Sequence, residues 1–136
     1  MLASAGNRTG QAFSTELKRF GLALNEWRAC ASLRQQPGQR LMALAEHTSI
    51  DASTLSRMVD GLVQRGLLVR ERCDDDARAI ALRLTAEGET VVDRVIPLAQ
   101  LYERVMLSGI DGEQVQLLRE LLRRIHDNTA LLDPKD

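Results

Sequence analysis

The stretch STLSRMVDGLVQRGLLVR, residues 53–70, decides how this chain is read. Leu55, Met58, Val59, Leu62 and Val63 recur at helical spacing and make one apolar face. The opposite face begins with Ser53, Thr54, Ser56 and Arg57. Asp51 stands where a helix cap belongs, and Gly66 where a helix stops. An apolar run follows at once, so a short helix passes directly into a strand.

Working outward, residues 40–48 (RLMALAEHT) predict a short helix with Leu41, Leu44 and Ala45 inward. Arg40 occupies the place where a serine or threonine cap is usual. Residues 25–35 predict another helix, with Trp27, Cys30, Ala31 and Leu33 inward, Arg34 solvated, and Pro37 and Gly38 closing it. A first helix is expected over 11–20, carrying Phe13, Leu17 and Phe20 on one face, with residues 1–10 frayed. Beyond Gly66, two strands over 67–73 and 78–85 flank a turn at 74–77. In the second strand Ile80, Leu82 and Leu84 alternate with Ala79, Ala81 and Arg83, and the first set is expected inside. Thr85 caps a long helix over 86–108, with Pro97 expected to kink it. Gly109 breaks the chain, and Asp111 caps a last helix over 112–132 with Val115, Leu118, Leu121, Leu122 and Ile125 in a stripe.

With 136 residues, 44% hydrophobic and 27% charged, the chain has enough apolar material for a core without disulfides. Aromatics are only 3%, which argues against stacking on single-stranded nucleic acid. No apolar run reaches membrane-span length and nothing at the start resembles a signal peptide, so a cytoplasmic protein is expected. Cys30 and Cys73 have no metal-ligand spacing, and the run Asp74, Asp75, Asp76 reads as a solvated turn. No metal and no cofactor is expected. His47 and His126 lie on different predicted helices with no nucleophile spaced to meet them, so no enzyme is expected. The net charge is −1, and over residues 51–85 six acids balance six arginines, so there is no broad basic patch. Binding to phosphate would rest on geometry and a few arginines.

Two short helices joined by TSIDAS and followed by a hairpin make a winged helix-turn-helix. In that unit the second helix enters the major groove of double-stranded DNA. Its start leads, because the dipole and the unpaired backbone N–H groups there attract phosphate. Short hydroxyls allow close approach, and an arginine one turn in can reach a guanine edge with two hydrogen bonds. Ser53, Thr54, Ser56 and Arg57 are therefore the expected DNA-reading end.

At these residues the chain resembles the MarR family of bacterial transcription regulators. The resemblance is carried by LSRMVDGLVQRGLLVR (55–70), DAR (76–78) and LRLTAEG (82–88), with FGLALNEWRACASL (20–33) and LAEHTSIDAS (44–53) in the expected order before them. It implies a mainly α fold with a small β-hairpin wing. A single domain over 1–136 would hold a winged unit at about 25–85 and a helical dimerisation region at about 10–20 and 86–132. It further implies that Arg78 enters the minor groove and that Asp76 orients it, while Ala77 replaces a frequent second arginine. The first helix reads as shorter than the family's, as if the chain began late. The implied function is a ligand-responsive repressor that binds a pseudo-palindromic operator as a homodimer. A small aromatic or phenolic ligand is implied, with Phe20, Trp27 and Arg28 lining its pocket by position. Two alternatives stand beside it: a winged-helix protein-interaction module that does not touch DNA, and a redox-sensing regulator acting through Cys30 or Cys73.

Overall fold

The computed structural model describes residues 1–73 and 78–132. Contacts divide the chain into a unit of residues 1–100 and a second unit from residue 101 onward. In the first, helix α1 (Leu2–Leu17) ends in a 3-10 turn (Lys18–Phe20). Then come α2 (Leu24–Gln35), the short strand β1 (Gln39–Arg40), α3 (Leu41–Thr48), α4 (Ala52–Gln64), and the strands β2 (Leu68–Arg72) and β3 (Ile80–Leu84). Helix α5 (Ala86–Met106) begins in the first unit and ends in the second, which also holds α6 (Gly112–Thr129). The sheet is antiparallel with order β1-β3-β2. The fold is mainly helical with a small hairpin, as expected.

The core follows the helical period of the opening stretch. Leu55, Val59 and Leu62 on α4 are fully buried, alongside Leu44 of α3, Leu33 of α2, Leu17 of α1, and Val92 and Val95 of α5. Each such side chain removed from water stabilises the fold by about 1.5–3 kcal/mol. Phe13 meets Trp27 edge-on, with ring centroids 6.2 Å apart, and fastens α1 to α2.

Several expectations change. Residues 2–10 are helical: α1 starts at Leu2 and is 16 residues long, longer than the helix expected over 11–20. Its far end is nucleated by buried Phe13 and Leu17, and adding turns to an existing helix costs little. Ile80 is 49% exposed, whereas Ala81 is buried. Ile80 pairs with Arg72 at the distal end of the hairpin, while Ala81 pairs with both Arg40 and Glu71 in the middle of the sheet. The third strand, β1, was invisible to periodicity because it is two residues long. Arg34 is not simply solvated but bridges to Glu89 and Asp93 of α5, at 3.4 and 2.9 Å. Trp27 and Ala31 are half-buried, and Ala29 takes the inward place beside Cys30. Helix α5 holds Pro97 in its interior, where the sequence placed it.

One close approach fixes where α5 begins. The Thr85 hydroxyl donates to the Gly66 carbonyl at 2.6 Å and accepts from the Gly88 N–H at 3.0 Å. A Cβ on Gly88 would stand 2.1 Å from the Leu67 carbonyl oxygen, a backbone atom that cannot swing aside. Gly88→Ala is therefore expected to push α5 off the start of β2, at a cost of about 1–3 kcal/mol. Thermal melting should register a Tm several degrees lower; an unchanged Tm would contradict the close packing.

Candidate nucleic-acid interface

Helix α3 ends at Thr48, and Ser49 then turns the chain in the left-handed region at φ 56°. Ile50 is buried and anchors the turn, its N–H donating to the Ala45 carbonyl at 3.2 Å. Asp51 caps α4, its Oδ2 accepting from the backbone N–H groups of Ser53 and Thr54 at 3.1 and 3.2 Å. With Leu55, Val59 and Leu62 inward, the outward stripe of α4 is Ser53, Arg57, Asp60 and Gln64, all exposed.

The expected reading residues divide. Arg57 is exposed and makes no hydrogen bond or ion pair among the described residues. Ser53 and Thr54 are exposed, but both hydroxyls turn back onto the Asp51 carboxylate. Ser56 is half-buried on the flank. Two of the backbone donors expected to attract phosphate are thus already occupied by Asp51, because the helix is capped from within. Arg78 is exposed just ahead of β3. Asp76, with the rest of the 74–77 turn, lies outside the described residues.

Three arginines between residues 51 and 85 are paired with carboxylates. Arg70 on β2 pairs with Asp60 on α4, so a wing strand is tied to the outward stripe of the helix. Arg83 pairs with Glu71 across the hairpin at 2.8 Å. Arg65, read from sequence as a solvated charge, pairs with Glu26 at 3.1 Å and donates to the Gly21 carbonyl, pinning the end of α4 to the start of α2. Its partners are more than thirty residues away, and no local pattern could have signalled them. Arg57 and Arg72 remain exposed without an ion pair among the described residues.

Hydrogen bonds from the Ser53 hydroxyl and then the Thr54 N–H hold the Asp51 carboxyl below its ordinary value of 3.8. A lowered folded-state pKa contributes stability that is present above the unfolded value and is lost as pH falls through the lowered one. Asp51→Asn should therefore flatten the acid limb of the stability profile while leaving neutral-pH melting nearly as it was. Urea titrations between pH 6 and roughly pH 3 test this, and parallel profiles for the two proteins would refute it.

A second feature lies between α2 and α3. A cleft of about 470 Å³ is lined by Trp27, Arg28, Ser32, Gln36, His47 and Thr48, among others. Trp27 and Arg28 were expected to line a pocket together with Phe20. The structure brings the first two together but not Phe20, whose ring is covered by the Arg94 guanidinium 5.7 Å from its centroid. Behind the cleft, buried Gln39 donates through Nε2 to the Ser32 carbonyl, the Ser32 hydroxyl and the Gln36 carbonyl at 3.0, 3.1 and 2.9 Å. Its Oε1 lies 2.7 Å from His47 Nδ1. Three acceptors around Nε2 fix the amide, so Nδ1 carries the proton and donates. Gln39 was not singled out from the sequence, where a lone glutamine after Pro37 and Gly38 looks like loop.

Cys30 is buried, and burial followed by the nearby Glu26 charge pushes its thiol up to about 12. A thiol held protonated is a poor oxidant sensor, so the redox alternative finds no support at Cys30. Cys73 is half-buried, and both cysteines are free. Among the described residues no cluster of three His, Cys, Asp or Glu side chains could hold a metal ion. No described helix is long and apolar enough to cross a membrane.

A helix-turn-helix with an outward arginine on its second helix, followed by a β-hairpin wing whose sheet β1 completes, defines a winged helix-turn-helix protein. The MarR family model matches residues 22–80, the α2-to-wing core of that unit. A MarR family transcriptional regulator from Silicibacter pomeroyi is 29% identical with a TM-score of 0.84, over 93% of this chain and 86% of that one. A putative MarR family regulator from Listeria monocytogenes, solved with a 26mer DNA, superposes with a TM-score of 0.88 at 19% identity, over 95% and 86% of the two chains. Bordetella bronchiseptica BpsR, whose DNA binding is regulated by 6-hydroxynicotinic acid, gives 0.79 at 23% identity, over 92% and 95%. The α2-to-wing region of the chain is thus similar in sequence to the MarR family, and the whole fold is similar to solved MarR family transcriptional regulators.

Proposed function

We propose that this regulator is a cytoplasmic homodimeric repressor that reads a pseudo-palindromic operator and releases it when a small aromatic or phenolic ligand binds. The observation that carries the DNA-reading role is Arg57: an arginine without an ion pair among the described residues, one turn into a helix seated by buried Leu55, Val59 and Leu62. A rigidly seated helix presents that guanidinium at a fixed height, which a bidentate contact to guanine requires. Ser53, Thr54 and Ser56 border it and fill the groove floor, their hydroxyl oxygens still able to accept. Arg78 reaches the minor groove beside the wing, with Asp76 orienting it. Residues 25–85 form the DNA-binding unit, and residues 10–20 and 86–132 the dimerisation region. Twofold symmetry sets the two recognition helices about 34–36 Å apart, one duplex turn. The Listeria and Bordetella structures support DNA and a small hydroxylated aromatic acid as the classes of partner. Trp27 and Arg28 are the ligand-facing residues of the α2–α3 cleft.

The deciding experiment is a gel shift with duplex DNA from the region upstream of the protein's own gene, titrated against salt. Sequence-specific retention that weakens steeply with salt is expected. Retention of no fragment above random DNA would favour the protein-interaction alternative, to which the neutralised arginines lend their weight.

A further inference from the structure

We propose that Arg72 grips the DNA phosphate strand that separates the groove read by α4 from the groove entered by the wing, with Ile80 packed against the sugars beside it. The inference rests on the DNA-reading role proposed above and adds to it a contact that carries no sequence information. Arg72 is the last residue of β2 and lies opposite Ile80 of β3. Both are exposed. The hairpin continues past them, the Cys73 N–H donating to the Ala79 carbonyl at 3.0 Å, so the backbone under Arg72 is held. The Arg72 side chain has no hydrogen bond or ion pair among the described residues. Its neighbours are engaged, Arg70 by Asp60 and Glu71 by Arg83. A guanidinium left free on a fixed strand, beside two carboxylates already taken, is available to an outside anion.

Its direction follows from the sheet. Side chains two apart on a strand share a face. Leu68, Arg70 and Arg72 therefore lie on one face of β2, with Leu84, Leu82 and Ile80 opposite them. Leu68 and Leu82 are buried, so this is the face turned to the helices, and at Ile80, 49% exposed, it has run out from under them. Strand β2 also runs back along α4. The Leu67 N–H donates to the Leu62 carbonyl at 3.0 Å, and three residues later Arg70 meets Asp60. Later positions on β2 thus stand against earlier positions on α4. Arg57 is three residues before Asp60, about 4.5 Å along the helix, and Arg72 is about 6.6 Å beyond Arg70 along the strand. Both guanidinia lie on the same side of the Arg70–Asp60 clasp, toward the start of α4.

Arg78 stands farther out, ahead of β3. With Arg57 in the major groove and Arg78 in the adjacent minor groove, the sugar–phosphate strand between the grooves crosses the stem of the wing, where Arg72 and Ile80 stand. An arginine there meets phosphate with charge-assisted hydrogen bonds. The Ile80 methyls lie against deoxyribose, which needs no polar partner from them. Contacts of this kind fix register on the duplex without reading it.

Anisotropy titrations over a salt series test the placement, on the duplex retained in the gel shift and on a scrambled duplex of equal length. Arg72→Gln should melt like the unmutated chain, because the side chain is exposed and holds nothing. It is expected to weaken both duplexes by the same factor, about tenfold or more. The fall of log affinity with log salt should become shallower by about 0.9 per chain. Arg72→Lys should keep the slope and most of the affinity, because phosphate accepts a point charge where a guanine edge prefers the fork. Replacing one phosphate at a time by neutral methylphosphonate should find a position in each half-site whose loss weakens the unmutated chain as Arg72→Gln does, and weakens Arg72→Gln no further. Unchanged affinity and slope, a loss confined to the retained duplex, a lysine variant as weak as the glutamine one, or a scan without such a position would each overturn the proposal. If the unmutated chain binds neither duplex, the DNA-reading role falls and the Arg72 contact with it; if it binds and Arg72→Gln binds equally well, only the contact falls.

Discussion

Arg57→Ala is expected to abolish sequence-specific operator binding without measurable loss of fold. The side chain is exposed and bonded to nothing among the described residues, so its removal leaves no buried group unsatisfied and no cavity. Its neighbours on the inward face, Leu55 and Val59, are fully buried and untouched. A bidentate contact to a guanine edge carries about 1–3 kcal/mol of discrimination, and a dimer makes it twice, so a loss between tens-fold and about ten-thousand-fold is the expected range. Binding to random duplex should fall less, because phosphate contacts elsewhere persist. The check is fluorescence anisotropy with operator and with scrambled duplex at one salt concentration, beside a thermal melt. An equal loss on both duplexes would place Arg57 on phosphate; an undiminished operator affinity would remove it from the interface.

The same helix shows what a sequence discloses. The inward positions of α4 were legible because an apolar side chain every three or four residues has one physical meaning, and the cap at Asp51 and the stop at Gly66 bounded the element. Gly66 adopts φ +75°, the conformation its residue type suggested. What stayed hidden depended on partners far along the chain. Nothing near Arg65 announces Glu26 and Gly21, and nothing near Arg28 announces the Thr48 carbonyl. Ile80 and Ala81 exchanged places because alternation gives two faces but not the point at which a strand runs out from under its helices. The hydroxyls of Ser53 and Thr54 were read as groups for DNA, yet the carboxylate that binds both was already identified as the cap. The cap and the reading end are the same few atoms, and a one-dimensional reading counted them twice.

The second large effect concerns α6. Asp111 and Gln114 close a reciprocal cap at its start, with bonds of 2.8 and 3.1 Å, so the helix is well defined. Yet it buries no side chain: Leu117, Leu118, Leu121, Leu122 and Ile125 are between 38% and 54% exposed. Among the described residues, every buried apolar one lies between Phe13 and Val95. A stripe of this length left in water invites a second chain. Covering a leucine is worth about 1.5–3 kcal/mol when complete. Several from each of two copies are therefore enough to meet an association cost on the order of 4–15 kcal/mol. Leu118→Asp with Leu121→Asp places four carboxylates in that interface and should yield a monomer. Because neither leucine belongs to the buried core, the winged unit should keep its melting transition and its weak, salt-sensitive affinity for random duplex. Affinity for a paired operator should collapse, since one half-site contact must then stand alone. Sedimentation velocity at micromolar concentration separates the outcomes: a dimer for the unmutated chain and a folded monomer for the double variant support the reading, whereas an unmutated chain that sediments as a monomer refutes both the interface and the twofold operator built on it.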